Sequence, residues 1–160
     1  MASVGRSTVL NTLAVIVTYN RSELLSRCID HLQKQTCPPA EILVINNAST
    51  DDTVAMLEGR GVAFVTQANV GSAGGWHRGI QHALEHGFDA VWLMDDDGFP
   101  DAGALEVLEA AIVPGVACAS SVVLREDDPT RFVFPFPVLD AASLPVIWGR
   151  QCKLASMAKL

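Results

Sequence analysis

The chain has 160 residues, 49% of them hydrophobic and only 18% charged, with a mean hydropathy of +0.28, which excludes a disordered segment and predicts one packed core. A formal net charge of −7 and a pI near 4.9 exclude general nucleic-acid binding but leave room for one phosphorylated ligand held through a divalent cation. The four cysteines, Cys28, Cys37, Cys118 and Cys152, form no C-x-x-C pair, so zinc knuckles and thioredoxin-type sites are excluded and reduced thiols are expected.

In chain order, residues 13–17 are a continuous apolar run rich in β-branched side chains, the pattern of a strand buried on both faces. Thr18-Tyr19-Asn20 breaks it. Over residues 22–35, Leu24, Leu25, Cys28, Ile29 and Leu32 fall on one helical face, with Ser22 or Asn20 as cap and Cys37-Pro38-Pro39 as the stop. The cycle repeats: a second strand at 42–45, a polar loop at 46–52 and a short helix to about Glu58. A third strand at 62–65 follows, and a glycine-rich loop at 69–75 leads into a helix ending near Gly87. A fourth strand at 90–94 ends on Asp95, a helix covers 103–112, and 116–124 is expected as a further strand. Beyond Arg125 the pattern decays.

Strands alternating with helices predict an α/β fold: a mainly parallel, Rossmann-like sheet with right-handed crossovers and helices on both faces. In such sheets ligands bind beyond the carboxyl ends of the strands. The four unusual loops all follow strand ends, so they are expected to converge on one edge.

Asp95, Asp96 and Asp97 repel one another at the end of an apolar strand, and a divalent cation relieves that repulsion. Mg2+ or Mn2+ takes oxygen ligands and bridges carboxylates to phosphates. Extended geometry would turn Asp95 and Asp97 one way, toward a metal, and Asp96 the other, toward a ribose hydroxyl. The plainer alternative is a solvated acidic turn. In the glycine loop, Asn69, Gly71, Gly74 and Gly75 let backbone approach a ligand at a helix N-terminus, with His77 and Arg78 adding charge for a phosphate. The spacing is not that of a dinucleotide fingerprint. Asn46 and Asn47 either shape their turn or read the edge of a base. His82 and His86 have metal-ligand spacing on one helix face, but no third ligand is evident, and they are expected at the surface. Trp76 and Trp92 are expected to pack.

Residues 15–21, 43–53, 69–79 and 93–101, in this order, resemble the family 2 glycosyltransferases of the GT-A fold, over about two-thirds of the chain. The Asn-x-Gly-x-Ala-Gly-Gly loop and the triple aspartate are most similar to the rhamnosyl- and galactofuranosyl-transferase branch. The resemblance implies a nucleotide-sugar-binding domain over residues 1–125 and an extension over 126–160. It implies nucleotide contacts from Thr18, Tyr19, Asn20, Arg21, Asn46, Asn47, Ser49, Asn69, Gly71, Gly74, Gly75 and Arg78. Asp96 would hold the ribose, and Asp95 and Asp97 the metal, Mn2+ or Mg2+. The donor would be a UDP- or dTDP-sugar, and the acceptor a glycan or lipid-linked sugar in cell-wall or polysaccharide biosynthesis, with inversion.

Family members usually carry an aspartate where this chain has Asn46, which leaves the base open. The tail from Phe136 does not resemble the family's continuation. The acceptor half and the general base are therefore expected outside this chain, as in a truncated product or a subunit completed by another chain. A non-catalytic nucleotide-binding module is the alternative. A magnesium-dependent phosphatase is disfavoured, because its nucleophilic aspartate would stand where Thr18-Tyr19-Asn20 does. No apolar run reaches the ~20 residues of a membrane span, and residues 1–11 lack a signal-peptide core. The expectation is a cytoplasmic protein, with self-association or contact with the inner membrane face allowed by its thin polar surface.

Overall fold

The computed structural model describes residues 10–133, 138–139 and 145–147. Four parallel strands, β1 (Thr12–Thr18), β2 (Glu41–Asn46), β3 (Ala63–Thr66) and β4 (Ala90–Asp95), form one sheet in the order β3-β2-β1-β4. They alternate with α1 (Ser22–Gln33), α2 (Thr53–Arg60), α3 (Gly71–His86) and α4 (Ala104–Ala111). The fold class is therefore the α/β parallel sheet that the alternation of periods predicts.

All seven residues of β1 are buried, because helices cover both of its faces. Ala14 and Ile16 pack with Leu25, Cys28, Ile29 and Leu32 of α1 and Leu57 of α2. Leu13, Val15 and Val17 point the other way, into a cluster with Ala83 and Trp76 of α3. Each fully buried aliphatic side chain contributes about 1.5–3 kcal/mol relative to exposure, so this double cover explains why a seven-residue run carries almost no polarity. Trp92 packs on the first cluster and Trp76 on the second, both half-buried.

Three local expectations change. The glycine-rich stretch at 69–75 is not a free loop: α3 begins at Gly71. Gly75 and Gly79 lie four apart on its inner face, where a Cβ would fall 2.6 Å from Val17 Cγ1 and 2.4 Å from Val15 Cγ1. These glycines let the helix backbone rest on β1. At the start of α1 neither Ser22 nor Asn20 caps; the Ser22 N–H donates instead to Asp51 Oδ2 at 3.1 Å, so the loop after β2 satisfies an orphan donor of α1. Third, residues 116–124 form no strand. Leu124 makes an isolated antiparallel bridge with Phe132, and Val116, Val122 and Val123 stay exposed, so these apolar residues lack the sheet that would bury them.

The chain divides into two compact units, Met1–Ala117 and Cys118–Leu160. In the second, Arg125 forks onto Asp127 at 2.8 and 2.6 Å. Its Val138–Leu139 and Pro145–Ile147 pair antiparallel as β5 and β6. Among the described residues no helix is long and apolar enough to cross a membrane.

The sheet order matters for function. The chain winds from β1 out to β3, then crosses back to lay β4 on the other side of β1. The carboxyl ends of β1 and β4 are therefore neighbours, and a crevice opens at that edge between their loops and the start of α3.

Candidate functional site

That crevice is a cavity of about 470 Å³ lined by Val17, Thr18, Tyr19, Arg21, Asn47, Asn69, Gly71, Ser72, Asp95, Asp96 and Asp97. Loops after β1, β2 and β4 meet the N-terminus of α3 there. Of the residues singled out from sequence, Thr18, Tyr19, Arg21, Asn47, Asn69, Gly71 and the three aspartates come together.

β4 ends at Asp95, and Asp96 and Asp97 form a turn closed by the Gly98 N–H on the Asp95 carbonyl at 3.2 Å. Strand alternation therefore does not sort the three carboxylates; burial does. Asp96 is 3% exposed, accepts the Thr18 hydroxyl at 2.7 Å and takes the Arg21 guanidinium at 3.1 Å. Asp95 and Asp97 are exposed toward the cavity. The same Arg21 nitrogen reaches Asp97 Oδ2 at 3.4 Å. Burial pushes the Asp95 carboxyl up from its ordinary range; the Ser72 hydroxyl opposes this, and repulsion from Asp97 and Asp96 adds to it. Arg21 is held above the ordinary arginine value, first by its hydrogen bond to Asp96. An electron-rich corner with one cation in it is the electrostatic character of the site.

The loop after β2 is built differently. Asn46 is fully buried: its Oδ1 accepts the Ser49 N–H at 3.0 Å and its Nδ2 donates to Thr66 Oγ1 at 3.1 Å. It props the loop from beneath and presents no edge to the cavity. Asn47 donates to the Gly71 carbonyl at 3.3 Å and accepts Gln67 Nε2 at 2.9 Å, tying β2, β3 and α3 together. Asn20, in the left-handed region at φ 53, donates its backbone N–H to Ser49 Oγ at 2.9 Å, and its Oδ1 accepts the Thr50 N–H at 2.7 Å. Asn20, Asn46 and Ser49 thus stitch two loops together and do not line the cavity.

Gly74, Gly75 and Arg78 also lie outside the lining. Gly75 is buried on β1, a Cβ on Gly74 would strike Val70 at 2.4 Å, and Arg78 is exposed on α3. Sequence reasoning missed Ser72, Thr66 and Gln67. Gln67 immediately follows β3, so the strand-end rule that marked the other loops was a signal for it. The His82 and His86 rings stack at 3.9 Å between centroids on α3, away from the cavity lining.

Among the described residues no group of three His, Cys, Asp or Glu side chains is arranged to hold a metal. Asp95 and Asp97 are a pair. Mg2+ and Mn2+ are commonly held by one or two carboxylates and completed by water and substrate phosphates, and a carboxylate pair facing a cavity fits that donor set.

Residues 13–137 match the model of Glycosyl transferase family 2. The chain is 37% identical over 132 residues to galactofuranosyltransferase GlfT1 of Mycobacterium tuberculosis, a match covering 78% of this chain and 43% of that protein. It is 31% identical over 101 residues to the uncharacterized glycosyltransferase YwdF of Bacillus subtilis, covering 61% of this chain and 37% of that one. The chain thus spans less than half the length of these relatives. Among solved structures, the mannosyltransferase PcManGT from Pyrobaculum calidifontis, in complex with GDP-Man and Mn2+, superposes with a TM-score of 0.60 at 24% identity, over 74% of this chain and 37% of that one. S. aureus TarS 1–349 in complex with UDP gives 0.54 at 19%, over 72% and 40%. These two likenesses show the fold. With the family model running from the first strand past the aspartate turn and on through most of the chain, the chain belongs to glycosyl transferase family 2.

Proposed function

We propose that the chain forms the donor side of an inverting, metal-dependent glycosyltransferase, binding a UDP- or dTDP-sugar for transfer to a glycan or lipid-linked acceptor in cell-wall or polysaccharide biosynthesis. The observation that carries this reading is the aspartate turn: one buried carboxylate locked by Thr18 and Arg21, flanked by two that face a cavity large enough for a nucleotide. The named ligands of PcManGT and of TarS, GDP-Man with Mn2+ and UDP, support a nucleotide donor and a divalent ion. The galactofuranosyltransferase relatives make a galactofuranosyl donor the first sugar to test. A lipid-linked acceptor would place the protein at the inner membrane face.

In this reading Tyr19, 47% exposed at the cavity wall, lies against the base, and Asp96 uses its remaining lone pairs on the ribose. The start of α3, where Asn69 Oδ1 accepts the Gly71 N–H at 3.1 Å and Ser72 stands beside it, faces the diphosphate. Asn47 holds that helix start in place. Asn20, Asn46 and Ser49 act on the nucleotide through the loop they brace, and Gly74, Gly75 and Arg78 through the position of α3. Asp95 and Asp97 would hold Mn2+ or Mg2+, which when bound neutralises charge on the departing diphosphate. Inversion also needs a carboxylate to take the acceptor proton, and we assign that role to none of the described residues.

Calorimetry with UDP, dTDP and GDP, each with and without Mn2+, tests the reading. We expect tighter nucleotide binding with Mn2+, and loss of that enhancement in Asp97→Ala. Equal affinity with and without metal for every nucleotide would refute the metal role. Donor-hydrolysis and transfer assays separate an enzyme from a module that only binds: turnover refutes the binding-only alternative.

A further inference from the structure

The three consecutive carboxylates share one cavity with a single cationic side chain among its lining residues, Arg21. Its two contacts are unequal. It meets Asp96, whose side chain is 4% exposed, at 3.1 Å, and Asp97, 58% exposed, at 3.4 Å, through the same nitrogen. The Arg21 side chain is itself 52% exposed. Its backbone is fixed, because the Arg21 carbonyl accepts the Leu25 N–H at 2.9 Å as α1 begins, so only the side chain is left to move. The pair with Asp97 is exposed on both sides, and such ion pairs are weak and easily exchanged, whereas the buried Asp96 holds its partner firmly. A guanidinium also has a better partner in a diphosphate, which it can take bidentately.

We infer that Arg21 is a displaceable counter-cation for Asp97: without donor it bridges Asp96 and Asp97, and when a nucleotide diphosphate arrives it keeps Asp96, turns its exposed nitrogens to the phosphates and releases Asp97 to the divalent ion. The inference rests on the metal reading above and goes beyond it by making metal and nucleotide binding mutually dependent. Before the donor arrives, Arg21 holds a positive charge against Asp97 at 3.4 Å, so metal alone would bind poorly. The incoming diphosphate draws that charge away and adds its own oxygens as ligands. The two ligands then bind cooperatively, with Arg21 as the coupling element.

Mn2+ binding is measured by calorimetry or Mn2+ EPR on the full chain, alone and with UDP, dTDP or GDP, for the unaltered protein, Arg21→Gln and Arg21→Lys. A unit charge a few ångströms from a divalent ion costs on the order of tenfold in affinity even in a water-like dielectric. Arg21→Gln should therefore bind Mn2+ alone roughly tenfold more tightly than the unaltered chain, and nucleotide should improve its Mn2+ affinity less. Arg21→Lys, which keeps the charge, should stay close to the unaltered protein for Mn2+ alone. Unchanged or weaker Mn2+ binding in Arg21→Gln overturns the inference, as does Arg21→Lys behaving like Arg21→Gln. If no nucleotide strengthens Mn2+ binding in the unaltered chain, the metal reading itself fails and the inference falls with it. If nucleotide strengthens it equally in all three proteins, the metal reading stands and the role of Arg21 alone is overturned.

Discussion

Two polar loops leave the same edge of the sheet and are spent in opposite ways. After β2, Asn46, Ser49, Thr50 and Asp51 turn inward on one another and on the neighbouring loop after β1, and the fully buried Asn46 is the keystone. After β4, Asp96 is partly spent the same way while still lining the cavity, and Asp95 and Asp97 are left facing it. Polar composition at a strand end therefore does not mark a ligand contact. What marks it is polarity that the fold leaves unspent, and the difference predicts that one loop reports in stability and the other in binding.

The largest expected effect is at the residue that belongs to both categories. Asp96→Ala removes a buried acceptor from Thr18 and from Arg21, and should lower unfolding free energy by about 3 kcal/mol while abolishing nucleotide binding; a denaturant melt and calorimetry check the two halves. Asn46→Ala leaves the partly buried Ser49 N–H without its acceptor and Thr66 Oγ1 without its donor, and should cost about 2 kcal/mol. Any change in its nucleotide affinity should be smaller than that of Asp96→Ala. If Asn46→Ala melts like the unaltered protein yet binds no nucleotide, the contrast between the loops collapses.

Cys28 reads the aspartate turn from beneath. Burial, then the charges of Asp96 and Asp97, push its thiol from 9.0 up to about 12. The folded state thus keeps its proton where the unfolded chain loses it. This contribution is complete below pH 9 and is lost as pH rises from about 9 to 12, at up to about 1.4 kcal/mol per pH unit. Melts at stepped alkaline pH should show this slope in the unaltered protein and a shallower one in Cys28→Ala. The smallest effect belongs to Asp97→Ala, whose exposed side chain should change stability by no more than about 0.5 kcal/mol while removing the Mn2+ dependence of nucleotide binding.

The same contrast shows what could be read from the sequence. β1 was legible because a strand covered on both faces has to be apolar throughout, and the alternation of strand and helix periods then implied the parallel sheet and its binding edge. Asn46 was not legible: an amide in a sequence shows donors and acceptors, not whether Thr66, twenty residues on, will take them. Gly75 and Gly79 were visible as small residues, yet their spacing of four was the sign of a helix face against a strand rather than of a loop. At 116–124 apolar residues suggested a strand, but strand formation also needs a neighbour to pair with, and residue pattern does not supply one. Ser72 stands at an open position of the glycine stretch, and Gln67 was marked only by following β3.

The two glycines on α3 have a mechanical consequence. With no side chain between helix and strand, Val15 and Val17 sit in a keyway cut by Gly75 and Gly79, and the helix cannot roll or slide without climbing out of it. Its first turn, with Gly71 and Ser72 at the cavity wall, is thereby set at a fixed height above the aspartates. A methyl group at position 75 would act as a shim, lifting that turn by about 1 Å to restore ordinary carbon contact distances. The reach between the helix start and the carboxylates is thus gauged one and two turns along the helix, at glycines outside the cavity lining.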